Sequence, residues 1–353
     1  MAFDATGAVV ARVREAAERG RGLAIRGAGT RGRWHAAPRS TGIEIDMTRH
    51  AGILSHEPTE LVLTARAGTT LADVETALAA HDQELPFEPP RHAAGSTLGG
   101  AVASGLSGPA RPWLGSVRDA VLGVGLVDGR GEICRFGGQV MKNVAGYDVS
   151  RLQAGAFGTL GVLLDVSLRV RARPEATLTC VLETGLADAR TRMVALGCRP
   201  WPLTGLAWLD GRLHVRLAGA PEGVEAAARE LGGDAGDDDF WPALRDLALP
   251  FFGRQDTALW RLSLPFDAAQ PDFAADWLLD WGGAQRWCRT HAEPEVVLAE
   301  ARRLGGHATR LAPSLLRTPV APAVAAVETR VRAALDPGGV LNPGVMDTAE
   351  AGA

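Results

Sequence analysis

One heptapeptide gathers side chains that the chain otherwise lacks. Lys142-Asn-Val-Ala-Gly-Tyr-Asp148 holds the only lysine, the only tyrosine and one of the two asparagines of a 353-residue chain in which Lys and Arg together number 37. The composition is rich in Ala, Gly, Arg and Leu, as a GC-rich coding bias makes it, and such a bias drains Lys, Asn and Tyr. Where those residues survive, chemistry or geometry needs them. An ammonium can stabilise a developing anion, and a phenol and a carboxamide can fix a ligand by hydrogen bonds. The other asparagine, Asn342, stands in Leu-Asn-Pro-Gly near the C-terminus.

Three glycine segments could hold a ligand against the backbone. Gly27-Ala-Gly-Thr-Arg-Gly32 fits the letters G-x-G-x-x-G. The next residues, Arg33-Trp-His-Ala-Ala-Pro38, carry no apolar helical period, so a strand–turn–helix dinucleotide fingerprint fails on context. The backbone N–H groups of such a turn can still cradle an anion. Gly95-Ser-Thr-Leu-Gly-Gly-Ala-Val-Ala-Ser-Gly105 combines small residues with three hydroxyl donors, Ser96, Thr97 and Ser104, and with Leu98 and Val102 as anchors. Gly155-Ala-Phe-Gly-Thr-Leu-Gly161 is a third turn of this kind.

Other chemistries find little support. Cys134, Cys180, Cys198 and Cys288 form no CxxC pair, so no iron–sulfur cluster, structural zinc or disulfide framework is expected. The late histidines His214, His291 and His307 are widely spaced and form no H-x-H or E-H pair, so no metal site is expected. His214 reads as a strand residue and His92 as structural. Gly233–Asp239 is acidic but lacks the closing Glu of a calcium loop, and reads as a solvated charge run. A net charge of −4 argues against nucleic-acid binding.

These residues need a scaffold, and the chain reads as α+β. A helix is expected over 6–19, with a stripe of Val9, Val10, Val13, Ala16 and Ala17 and a stop at Gly20. Strands are expected at Gly22–Gly27, Gly42–Met47 and Leu61–Ala67. Thr70 and Asp73 predict a capped helix that buries Leu71, Val74 and Leu78. Residues 86–118 have no periodicity and read as a long functional loop. Ala120–Cys134 reads as a hairpin turning at Asp128-Gly129, and Val162–Val170 as a strand with one apolar face. Pro174 marks a boundary. Residues 176–310 read as a second α+β domain that collects seven of the nine tryptophans, either as core or as a partner surface. Val327, Val331 and Leu335 mark a last helix, and no internal repeat is visible. No run of 18 apolar residues and no signal-peptide pattern is present, which predicts a cytoplasmic chain.

In order along the chain, R-G-A-G-T, G-S-T-L-G-G-A-V-A-S-G, K-N-V-A-G-Y-D-x-x-x-L-x-x-G-x-x-G-T-L-G and D-P-G-G-V-L-N-P-G resemble the FAD-linked oxidase family, with its vanillyl-alcohol-oxidase-like, PCMH-type FAD-binding fold. The likeness spans about residues 20–173 and 325–346. It implies an FAD-binding domain of two α+β subdomains at 1–174, an α+β cap or partner domain at 175–320, and a segment at 321–353 that returns to the FAD domain. Arg26, Gly27, Ala28, Gly29 and Thr30 would form the pyrophosphate turn. Gly95, Ser96, Thr97, Leu98, Gly99, Gly100, Ser104 and Gly105 would line pyrophosphate and ribose. Lys142, Asn143, Gly146 and Tyr147 would lie near the flavin ring, with Lys142 and Tyr147 as the catalytic candidates. Gly155, Gly158, Thr159, Gly161 and Val162 would close the adenine side, and Asn342 would join them from the closing segment. Lys142 is either a cation at the flavin N1–C2=O edge or a structural salt-bridge partner.

Some covalent flavoproteins of this fold carry a histidine in the first glycine turn, where this chain has Thr30 and Arg31, so the resemblance implies noncovalent FAD. A short chain with K-N-V-A-G-Y-D is similar to the FAD-binding subunits of glycolate-oxidising complexes. That implies oxidation of glycolate to glyoxylate, with a larger flavoprotein subunit and an iron–sulfur subunit as partners, and a peripheral place at the inner membrane through them. A stand-alone FAD-dependent 2-hydroxyacid dehydrogenase and a non-catalytic scaffold subunit are the alternatives.

Overall fold

The computed structural model describes residues 3–39, 42–139 and 147–347. The chain forms two units. One runs to Ser107 and adds Gly115–Arg173 and Val320–Asp347; the other comprises Gly108–Leu114 and Pro174–Pro319.

In the first unit, helix α1 (Thr6–Arg19) buries Val9, Val13 and Ala16. It ends because Gly20 turns left-handed at φ 58° and its N–H reaches back to the carbonyls of Ala16 and Ala17. Strand β1 (Leu23–Arg26) pairs in parallel with β2 (Ile43–Asp46). A parallel pair needs a crossover, and here the crossover begins with the first glycine turn. β2 alternates as expected, with Ile43 and Ile45 buried and Glu44 and Asp46 exposed.

Beside this pair stands a five-stranded antiparallel sheet, in the order β3 (Ile53–Glu57), β4 (Val62–Arg66), Val162–Arg169, Val121–Val127 and Ile133–Gly137. The Val162–Arg169 strand was expected to bury one face; it buries both. It is the middle strand, so even its polar positions face neighbours: Ser167 Oγ meets Thr64 Oγ1 at 2.9 Å, and Asp165 accepts from Arg135 at 3.1 Å. Helix α2 (Leu71–Ala79) is capped by the Thr70 hydroxyl, which accepts from the Asp73 N–H at 3.0 Å, and it buries Leu71, Val74 and Leu78.

The segment read as a long loop contains helix α3 (Leu98–Ser104). Its glycines hid it from a propensity reading, but packing requires them. A Cβ on Gly99 would stand 2.7 Å from the Ala67 Cβ and 2.9 Å from the Ala67 carbonyl oxygen. The close approach is held by the Gly99 N–H, which donates to that oxygen at 2.7 Å.

The expected last helix forms at Pro322–Leu335, but it buries none of its residues, and Val327 is 55% exposed. After it the chain returns to the first unit. Asp336 Oδ1 and Oδ2 accept from the Val340 and Leu341 N–H groups at 3.1 and 2.8 Å. That turn lays Leu341 beside Leu23 in a parallel bridge, with the Leu23 N–H donating to Val340 O at 2.8 Å.

The second unit is built on an antiparallel sheet of nine strands. Strands Ala176–Glu183, Leu203–Leu209, Arg212–Gly219 and Asp234–Ala235 lie in spatial order four, one, three, two. Strands Ala258–Ser263, Asp276–Asp280, Gln285–Thr290 and His307–Ala312 repeat that order. Each half has its own apolar cluster, one around Leu206 and Val215 and one around Trp260 and Val297. The structure thus contains an internal repeat that the sequence does not show. Trp277, Trp281 and Trp287 are buried, so they are core and not a partner surface. Trp281 Nε1 donates to Gly108 O at 2.9 Å, and the Arg111 guanidinium lies 4.4 Å above the same ring. These contacts hold Gly108–Leu114 in the second unit.

Candidate cofactor site

A cleft of about 490 Å³ opens in the first unit, between the glycine turn after β1, α3, the turn at 157–161 and the returning C-terminal segment. Arg26, Gly27, Ala28, Gly29 and Thr30 all line it. Gly29 has φ 69°, and a Cβ there would meet only an Arg26 guanidinium nitrogen, at 3.9 Å. Among the described residues, the N–H groups of Ala28, Gly29 and Thr30 donate to no protein acceptor, so they are available to an anion. Arg31, absent from the expected site, also lines the cleft and is 7% exposed. Its guanidinium donates to Pro90 O at 2.8 Å and to Thr30 Oγ1 at 3.2 Å, which sets a buried positive charge beside the turn.

From the second glycine segment, Thr97, Gly99, Gly100 and Ser104 reach the cleft, while Gly95, Ser96, Leu98 and Gly105 stand outside its lining. The hydroxyls do other work than expected. Ser104 donates to Ala101 O at 3.0 Å, Thr97 accepts from the Gly100 N–H at 3.2 Å, and Ser96 bonds Arg91 O and Thr30 Oγ1. They shape the wall. Gly105 touches the Gly155 backbone, where a Cβ would come within 2.9 Å of the Gly155 Cα. Leu98 and Val162 are core residues.

From the third segment, Gly158 and Gly161 line the cleft and Gly155 and Thr159 do not; Thr159 donates to Ala156 O at 2.8 Å. Tyr147 is 94% exposed and lines no part of the cleft. Lys142, Asn143 and Gly146 lie outside the described residues. Gln153 and Phe157 also line the cleft. Phe157 lies inside the third glycine segment, whereas no glycine pattern or spacing singles out Gln153; only the fold brings it to the wall.

Asn342 lines the cleft, yet both ends of its side chain bind protein. Oδ1 accepts from the Ile25 N–H and Nδ2 donates to Phe157 O, each at 2.7 Å. It joins the end of β1 to the 157–161 turn. A scarce asparagine survives here because a carboxamide alone offers an acceptor and a donor in this geometry.

The histidines are placed elsewhere. His214 stacks flat on Phe240 with centroids 3.7 Å apart, and burial pulls its pKa down to about 4. His92 accepts from Trp34 Nε1 at 3.1 Å. Among the described residues no three His, Cys, Asp or Glu side chains gather to hold a metal.

Comparison with known proteins settles the class. Residues 2–137 match the family model described as an FAD binding domain. Over 307 residues the chain is 46% identical to glycolate oxidase subunit GlcE of Escherichia coli (strain K12), with 87% of each chain covered. The chain belongs to the glycolate oxidase subunit GlcE family. It is an FAD-dependent oxidoreductase, and FAD is its cofactor. Glycolate oxidase subunit GlcD of Bacillus subtilis (strain 168) is 30% identical over 187 residues, which cover 52% of this chain and 39% of that one. The fold matches alkyldihydroxyacetonephosphate synthase at a TM-score of 0.65 and 15% identity, covering 95% of this chain and 74% of that one.

The cleft fits the cofactor. Its turn has unbonded N–H groups for a diphosphate, a buried cation stands beside them, and Gly29 leaves the approach open.

Proposed function

We propose that this chain is the FAD-bearing subunit of a complex that oxidises glycolate to glyoxylate, and that it works beside a larger flavoprotein subunit and an iron–sulfur subunit that carries the electrons onward. The observation that carries the reading is the 46% identity with a glycolate oxidase subunit over 87% of both chains. A second relative, also a glycolate oxidase subunit, matches over 187 residues of this chain.

Bound FAD supplies two-electron acceptance with release of single electrons. The chain's own part is to bind and orient. The N–H groups of Ala28, Gly29 and Thr30 and the Arg31 guanidinium hold the diphosphate. Asn342 keeps the two facing turns in register. Lys142 would place positive charge at the N1–C2=O edge of the ring and favour the charge that reduction puts there. Thr30 leaves the cofactor noncovalent, because a threonine hydroxyl lacks the ring nitrogen of a histidyl linkage. Among the described residues no helix is long and apolar enough to cross a membrane, so any membrane association of the complex would be peripheral for this subunit.

The test is reconstitution. The chain purified alone should be yellow and should not reduce an artificial dye with glycolate or D-lactate. Co-expression with the other two subunits should restore dye reduction. Robust turnover by the single chain, abolished by Lys142→Ala, would overturn the reading in favour of a stand-alone dehydrogenase. A colourless chain would favour a scaffold.

A further inference from the structure

Gln153 is 1% exposed and lines the cleft, and among the described residues its amide nitrogen has no hydrogen-bond partner. Most buried polar side-chain atoms in folded proteins are bonded, and one left unbonded in a residue that lines a cleft calls for an explanation. Its backbone is held by hydrogen bonds on both sides. The Gln153 N–H donates to Ser150 O at 3.3 Å and its carbonyl accepts from the Ala156 N–H at 3.2 Å. The next turn is pinned to α3 by Gly155 N–H to Val102 O and Phe157 N–H to Ala103 O, at 3.2 and 2.8 Å. The side chain therefore stands on a fixed base.

Neighbouring donors on this wall are committed. Ser104 donates to Ala101 O, and the Asn342 amide donates to Phe157 O. The Gln153 amide is a side-chain donor that the wall leaves without a protein acceptor. FAD is rich in acceptors along its whole length: ring nitrogens and carbonyls, ribityl hydroxyls, phosphate oxygens and adenine nitrogens.

We infer that Gln153 is a cofactor-binding residue, which donates its amide N–H to an acceptor atom of FAD. The inference rests on FAD as the occupant of this cleft. It makes two separable statements about substitution. Gln153→Leu removes a polar atom that the flavin-free chain cannot satisfy, so the flavin-free chain should lose no stability. The same change removes a bond from the loaded chain, so affinity should fall. Gln153→Glu keeps the shape but turns a donor into a charged acceptor facing acceptors, and should weaken binding more than leucine does.

The experiment uses the full chain stripped of flavin, with FAD titrated by quenching of its fluorescence and thermal unfolding followed with and without FAD. Gln153→Leu is expected to raise the Kd about tenfold, with the flavin-free melting temperature at or above that of the parent. Gln153→Glu is expected to raise the Kd further. A Kd for Gln153→Leu within twofold of the parent overturns the inference and leaves Gln153 a wall residue. Should leucine lower the flavin-free melting temperature, the isosteric Gln153→Glu decides alone: unchanged FAD affinity overturns the inference, and weakened affinity with a parental melting temperature supports it. A parent chain that binds no FAD would overturn the cofactor assignment itself, an outcome distinct from an indifferent Gln153.

Discussion

Replacing Asn342 with alanine removes its two hydrogen bonds to the backbone, one from the Ile25 N–H and one to the Phe157 carbonyl. The residue is 6% exposed, so water reaches the vacated space poorly. Each buried hydrogen bond lost without replacement costs about 1–3 kcal/mol, which sets the pair near 4 kcal/mol. Asn342 also has φ 42°, which asparagine tolerates and alanine resists by roughly another 1 kcal/mol. The combined loss of about 5 kcal/mol should lower the melting temperature of the first unit by about 10–20 °C. Asn342→Asp separates the two bonds. It keeps the acceptor for Ile25 but sets an oxygen against the Phe157 carbonyl, so it should fall close to the alanine variant. Differential scanning calorimetry on the flavin-free chain reads both. FAD content should fall with stability, because both tethered segments line the cleft. A melting temperature within about 3 °C of the parent for Asn342→Ala would show that the tether is not structural and refute the reasoning.

Acid precipitation should release all the flavin to the supernatant, since Thr30 cannot form a histidyl linkage; colour retained in the pellet counts against noncovalent binding. Gly99→Ala should destabilise even the flavin-free chain by about 1–3 kcal/mol in denaturant titration, because its Cβ meets Ala67 and not the cofactor; a loss confined to the loaded protein would show the reverse. The folded-state pKa of His214, about 4, lies below the ordinary 6.5, so the unfolded chain takes up the proton first on acidification. The second unit should therefore be at full stability above pH 6.5 and lose stability as pH falls from there to about 4. His214→Phe should flatten that part of a melting-temperature profile, and an unchanged slope would exclude His214 as its source.

Local signals in the chain were sufficient for elements closed by local bonds. α1 stops where Gly20 permits a left-handed cap, and α2 starts where Thr70 can accept from Asp73. Motifs also located the first turn of the cleft, since Gly27–Thr30 line it and the glycine pattern marks the turn. α3 was illegible because its glycines answer to Ala67, a distant neighbour that no window includes. The middle strand looked one-faced because Asp165 and Ser167 are satisfied across the sheet. Gln153 and Arg31 escaped for the same reason: a single polar residue becomes a site feature only when folding buries it against a cavity. The repeat in the second unit lies in strand order, which residue identities do not carry.

The strand-like partner of β1 is supplied from the far end of the chain, and this orders events in time. Ile25 waits for Asn342, 317 residues later. At roughly 5–20 residues per second, a ribosome takes about 15–60 s to make the intervening chain. Until then one edge of β1 lacks its neighbour and the cleft lacks a wall. Completion of the cleft, and with it flavin loading, therefore waits until Asn342 has been made, and until then β1 presents an unpaired strand edge.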